Sequence, residues 1–212
     1  MYVPAHFAES RVEVLHELIR GRPLGVLVTL GAEGLSANHV PFEIAAEPQP
    51  FGSLRCHVAR ANPVWCDFTS DCEALVIFTG PSTYVSPSWY PTKNQSGEVV
   101  PTYNYLAVHA YGAMKAIHDP EWLRGLVTRL THRFEASRET PWQVTDAPAP
   151  FIEKQLGAIV GIEIPITRLV GKWKVSQNRP PQDREGVARA LGELHDADSA
   201  AIARWIKEKT PA

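Results

Sequence analysis

Between residues 24 and 118 the chain offers one strand pattern after another, with no helix long enough to cross a sheet. LGVLVTL, residues 24–30, is short, apolar and β-branched, and reads as a buried strand. A turn from Gly31 to Gly34 leads into LSANHVPFEI, residues 35–44, as the second arm of a hairpin. After a loop at 45–50 comes FGSLRCHVA, residues 51–59, and then EALVIFTG, residues 73–80, which Gly80-Pro81 is expected to end. TYNYLAVHAYGAMKAI, residues 102–117, reads as one long strand with Gly112 as a bulge. Parallel neighbours need a crossover of about a dozen residues or more, so this run demands an antiparallel sheet and argues against a Rossmann fold. Closure into a barrel would hide the sheet edges.

Helices flank this run. Ser10 can cap a helix reaching about Arg20, with Val12, Leu15, Leu18 and Ile19 as its apolar stripe. Asp119-Pro120-Glu121 is a helix start, and WLRGLVTRLTHRF carries the 3.6-residue period onward. A Pro-rich linker, residues 141–150, precedes a short helix near 151–156, and residues 158–176 return to strand. Two amphipathic helices are expected over 182–208. The class is α+β, a mainly antiparallel barrel with peripheral helices. We expect a domain over 1–180 and a helical extension over 181–212 packed on it. The segment 81–100, with Pro81, Pro87, Pro91 and several aromatics, reads as a functional loop or flap.

Composition narrows the function classes. A net charge of −2, from 21 basic and 23 acidic residues, supplies no global attraction to nucleic acid or an anionic membrane, although a local patch stays open. Cys56, Cys66 and Cys72 cannot all pair, which fits reduced thiols in the cytoplasm. Cys56, His57, Cys66 and Cys72 match no zinc spacing, so no metal is expected. The start MYVPAHFAES lacks the features of a signal peptide, and no apolar run is long enough for a membrane span. The expectation is a soluble cytoplasmic protein. HExxH, GxSxG, GxGxxG and the P-loop are all missing, so nucleophilic catalysis has no support and a nucleotide-sized ligand needs another kind of site.

HVARANPVW, residues 57–65, is the densest motif. A strand ends at His57 and Arg60, and Asn62-Pro63 pairs a favoured N-cap with a favoured first helical residue. Free N–H groups, a guanidinium and an imidazole would then converge, as at a phosphate site. The plainer reading places Arg60 in solvent, dispensable for folding, and His57 in a turn. TYNY, residues 102–105, brings aromatic faces and an amide; KWKVSQNR, residues 172–179, brings a density of donors that suits a phosphate or a flavin edge. Both also suit ordinary strands and strand ends, and STYVSPSWY, residues 82–90, could wall a ligand or anchor a loop.

MYVPAHF, HVARANPVW, FTGPSTYVSPSWY, VPTYNYLAVHAYG and KWKVSQNRPPQDREGV, in this order from residue 1 to about 190, resemble the PaiB family, the FMN-binding negative transcriptional regulators. The resemblance implies a split β-barrel akin to pyridoxamine-phosphate oxidases, as a homodimer with FMN between subunits. It implies that Asn38, His39 and Val40 pass along the flavin ring, that His57 and Arg60 take the phosphate, and that Asn104 and Tyr105 complete the pocket; the N–H groups after Asn62 are expected to support the phosphate. Lys174, Ser176, Gln177 and Arg179 join the cofactor set. Three functions follow as expectations: a flavin-binding negative regulator, an FMN-dependent oxidoreductase using NAD(P)H on a small substrate, and a DNA-binding repressor with incidental flavin. The last two helices resemble a helix-turn-helix, but SAAIARWIKEK carries an apolar stripe of Ile202, Trp205 and Ile206 that is expected to pack on the barrel.

Overall fold

The computed structural model describes residues 1–209; residues 210–212, the end of the expected extension, lie outside them. The chain begins with β1 (Ala8–Glu9), α1 (Val12–Gly21), β2 (Leu24–Gly31), β3 (Gly34–Pro41), β4 (Glu43–Ala45) and β5 (Ser53–Ala59). It continues with β6 (Ala74–Val85), β7 (Thr102–Gly112), β8 (Lys115–Ile117), α2 (Pro120–Glu135) and α3 (Ala149–Gly157). It ends with β9 (Ile159–Pro165), β10 (Arg168–Lys174), α4 (Pro181–Glu193) and α5 (Ala197–Glu208). The strands form a six-stranded sheet in the order β1-β10-β7-β6-β2-β3 and a four-stranded sheet in the order β4-β5-β9-β8. The fold is a mainly antiparallel split β-barrel with peripheral helices, not a single closed sheet.

The hairpin β2–β3 runs in register from Leu24↔Pro41 to Gly31↔Gly34, and Gly34 at φ +105° supplies the left-handed residue of its turn. β5 and β9 pair from Ser53↔Pro165 to Ala59↔Ile159.

The structure departs from the sequence reading at three strand ends. β6 does not stop at Gly80-Pro81 but runs on to Val85. Its ladder with β2 covers only Leu75–Ile77, so the missing N–H of Pro81 breaks no bond on that side. The expected long strand 102–117 divides into β7 and β8, which belong to different sheets. β7 ends at Gly112, where a Cβ would lie 2.1 Å from the Pro165 carbonyl oxygen, so only glycine admits this close approach. Residues 158–176 likewise divide between β9 and β10, one in each sheet.

Two compact units are recognised. The first comprises residues 1–18, 79–108 and 170 onward. Its core contains Leu15, Leu106, Trp173, Leu191, Ile202 and Ile206, all buried. The stripe of α5 is thus covered, and Trp205 meets Trp173 edge to face at 5.8 Å. Asp183 on α4 accepts both the N–H and the hydroxyl of Thr92, at 3.1 and 2.7 Å. The second unit comprises residues 19–78 and 109–169. Leu27, Phe42, Leu54, Phe78, Leu126 and Ile162 fill its core, with Phe42 and Phe78 edge to face at 5.7 Å.

Candidate functional site

In the second unit the candidate residues come from β3, β5 and the turn that follows β5. Asn62 has extended backbone, and its Oδ1 accepts the N–H of Val64 at 3.0 Å, the expected cap geometry. Its Nδ2 donates to Oδ1 of Asn38 on β3 at 2.9 Å. The expected helix NPVWCDF is only one 3-10 turn, Pro63–Trp65. Its first-turn donors are largely engaged: the Val64 N–H by the Asn62 cap, and the N–H groups of Cys66 and Asp67 by the Pro63 carbonyl. A freely exposed row of N–H groups is therefore not what this turn presents.

Arg60 also departs from the solvent-facing reading. Its side chain is exposed, yet Nε donates to the carbonyl of Gly157 at 2.8 Å and Nη2 to that of Ile159 at 2.9 Å. Its own N–H bonds the Ala158 carbonyl at 2.8 Å. These carbonyls stand where α3 ends and β9 begins, where unpaired acceptors are expected at a helix C-terminus. A guanidinium has five N–H donors, so three remain. Trp65, which sequence reading left out of the site, donates its indole N–H to the Arg60 carbonyl at 2.9 Å and meets the His118 ring edge to face at 5.3 Å.

His57 lies opposite Gly161 in the β5–β9 ladder. Burial pushes its pKa below the ordinary value, and its buried Nδ1 has no partner among the described residues. A neutral imidazole with an unused ring nitrogen can serve a ligand as donor or acceptor. His39, exposed, pairs with Val26 in the hairpin, while Val40 is buried.

In the first unit a second set forms. Asn104 on β7 is buried, and its Nδ2 donates to the Ser176 hydroxyl at 2.9 Å while its Oδ1 has no partner among the described residues. Ser176 takes φ +64°, a conformation that non-glycine residues seldom adopt. It brings the Arg179 N–H to the Ser176 carbonyl at 3.0 Å. Gln177 folds back, its Oε1 accepting the Val175 N–H at 2.8 Å and its Nε2 donating to the Trp173 carbonyl.

Lys174 donates to the Thr102 hydroxyl and the Tyr103 carbonyl. Its pKa is pushed down by burial first, then by the charges of Lys172 and Arg179. Lys172 is buried, with its Nζ 5.2 Å from the Tyr105 ring centre, and the Arg179 guanidinium lies 4.9 Å from that of Tyr90. Among the described residues no carboxylate pairs with Lys172, Lys174 or Arg179, so the three charges repel one another and favour an anion. Lys172, with Lys174 and Arg179, is the second phosphate candidate that the sequence offers, and its two-residue spacing from Lys174 on a strand places both on one face.

Residues 1–168 match the family model described as "Putative FMN-binding domain". A protein from Emericella nidulans is 35% identical over 99% of this chain and 97% of its own. Protease synthase and sporulation protein PAI 2 of Bacillus subtilis is 29% identical over 99% of this chain and 98% of its own. In fold, the chain is similar to the flavocytochrome Anf3 from Azotobacter vinelandii, with a TM-score of 0.60 at 12% identity, covering 94% of this chain and 78% of that one. It is also similar to the FAD and heme binding protein from Mycobacterium smegmatis, with a TM-score of 0.58 at 17% identity, covering 79% and 73%. No helix among the described residues is long and apolar enough to cross a membrane. With a matching family model over most of its length and relatives that span it end to end, the chain belongs to the PaiB family of FMN-binding-domain proteins.

Proposed function

We propose that this protein binds FMN, with the phosphate end at Arg60, Asn62 and His57, and acts in the cytoplasm as a flavin-binding negative regulator of transcription. The observation that carries the reading is the fixed guanidinium of Arg60. Two of its donors are tied to carbonyls, so its remaining donors are held in place before a phosphate arrives. Preorganisation of this kind lowers the ordering cost of binding. Asn38 and Asn62, linked to each other, and the unpartnered Nδ1 of His57 supply neutral polar contacts of the sort a ribityl phosphate takes. His39 and Val40 continue β3 beside Asn38.

The set in the first unit has the chemistry of a flavin ring edge: the unpaired Oδ1 of Asn104 as acceptor, Lys174 and Arg179 as cations, Ser176 and Gln177 as polar neighbours, Tyr105 as an aromatic face. FMN, when bound, supplies redox chemistry; the residues here bind and orient it. A homodimer is part of the proposal. It is supported by the exposed aromatic rings of the first unit, Tyr2 at 83%, Tyr84 at 48% and Tyr103 at 58%, which are surface a partner copy could cover.

The deciding experiment is titration with FMN and riboflavin, followed by flavin fluorescence, on protein whose mass in solution is measured by light scattering. Tight FMN binding with much weaker riboflavin binding to a dimer is expected. Equal affinity for both, or no flavin bound, overturns the phosphate site. Steady oxidation of NAD(P)H by the FMN-loaded protein would replace the regulator reading with an oxidoreductase. Salt-sensitive binding to promoter DNA that survives FMN removal would make the flavin incidental.

A further inference from the structure

A cavity of about 470 Å³ lies in the second unit and shares no residue with the proposed flavin set. One wall is α2, where Arg124, Thr128, Thr131 and His132 line the cavity. Their spacing of i, i+4, i+7 and i+8 puts them on one helical face. The other wall is the linker after α2, where Trp142, Gln143 and Val144 line the cavity.

This linker is pinned. The Trp142 N–H donates to Glu135 Oε2 at 3.3 Å, and the Gln143 N–H donates to Asp146 Oδ2 at 2.8 Å within a reciprocal cap. Val144 packs on the cluster of Leu123, Ile152 and Leu156. The chain therefore holds the space open between two built walls instead of closing onto the helix. Its volume falls in the range of small-molecule sites.

The lining selects the ligand. Trp142 leaves 45% of its surface exposed and offers an indole face. Arg124 has no ion-pair partner among the described residues, and it also lines an adjoining cavity of about 300 Å³ together with Arg60 and Glu153. No carboxylate lines the larger cavity, and the nearby acids are engaged: Glu135 by Arg138 and the Trp142 N–H, Asp146 by the Gln143 N–H. One cation, one imidazole, three threonines and an indole match a flat anion.

We propose that this cavity is a binding site for a small aromatic carboxylate, its ring against Trp142 and its carboxylate on Arg124. The larger cavity shares no lining residue with the flavin set, but Arg124 also lines the adjoining cavity with Arg60, so the variants expected to leave FMN affinity unchanged are those at Trp142 and His132, which line the larger cavity alone. The test uses salicylate as probe, with salicylamide as the uncharged analogue, on the FMN-loaded full chain, read by calorimetry and by tryptophan fluorescence. Salicylate is expected to bind and to quench, and salicylamide to bind at least about tenfold more weakly for want of a charge-assisted contact. Arg124→Gln is expected to weaken salicylate binding by about tenfold to a hundredfold while the melting temperature stays at the wild-type value. Trp142→Phe should remove the quench and leave measurable heat of binding. Should Arg124→Gln melt early, His132→Gln reads the same wall, with a smaller loss expected. Absence of salicylate binding at millimolar concentration, equal binding of the amide, or full affinity in a folded Arg124→Gln overturns the proposal.

Discussion

Asn62 Nδ2 donates to Asn38 Oδ1 at 2.9 Å while Asn62 Oδ1 caps the following turn, so one carboxamide joins β3 to the end of β5 and starts the next segment. The two halves of the amide do different jobs, and substitutions can separate them.

Asn62→Ala removes both contacts and should cost about 1–2 kcal/mol of stability, one cap and one neutral hydrogen bond. Asn62→Asp keeps an acceptor suited to the cap but cannot donate to Asn38, and it adds a negative charge. Denaturant unfolding should place Asp above Ala, whereas FMN titration should place Asp below Ala. The same order in both measurements would refute separate roles.

Arg60→Ala should not be silent for folding, because two carbonyls, at the end of α3 and the start of β9, lose their donor. A loss of about 1–3 kcal/mol in urea unfolding is expected. Arg60→Lys should restore part of this, since an ammonium cannot reproduce two fixed N–H directions. FMN affinity should fall in both variants, and riboflavin affinity should change little. A wild-type unfolding midpoint for Arg60→Ala would mean that these bonds contribute nothing.

Burial lowers the pKa of His57, and burial together with the Arg168 charge lowers that of His109. The unfolded chain binds these protons near pH 6.5, whereas the folded chain resists them. Stability from this source is therefore complete above the unfolded value and declines as pH falls below about 6.5. The double variant His57→Gln, His109→Gln should lose less stability between pH 7.5 and 5.5 than wild type, measured by urea unfolding at each pH. An unchanged or steeper dependence would contradict the linkage.

Gly186 sits inside α4, where Ala is the better helix former by about 1 kcal/mol. A Cβ there would lie 2.2 Å from the Trp89 carbonyl oxygen, a backbone atom of the same unit that cannot swing away. The clash should win, and Gly186→Ala should destabilise by about 1–3 kcal/mol in a thermal or urea melt. A stabilised variant would show that α4 shifts freely against that turn.

Much of the architecture was legible in the chain. The alternation and β-branching of residues 24–30, the Gly31–Gly34 turn and the Asp119-Pro120 start act over a few residues, and each stands where local rules place it. The Asn62 cap was legible for the same reason, since cap and capped N–H are two residues apart. The partners of the site were not. Arg60 bonds carbonyls 97 and 99 residues along the chain, and Asn104 meets Ser176 from 72 residues away. No local propensity registers contacts of that separation. The continuation of β6 through Pro81 and the division of 102–117 at Gly112 were also decided in three dimensions, by which strand edge carries a ladder and by the pairing of β7 and β8 into different sheets. The sequence by itself determined which residue types and elements were available; the packing of strands distant in sequence decided which donors were already engaged and which were left for a ligand.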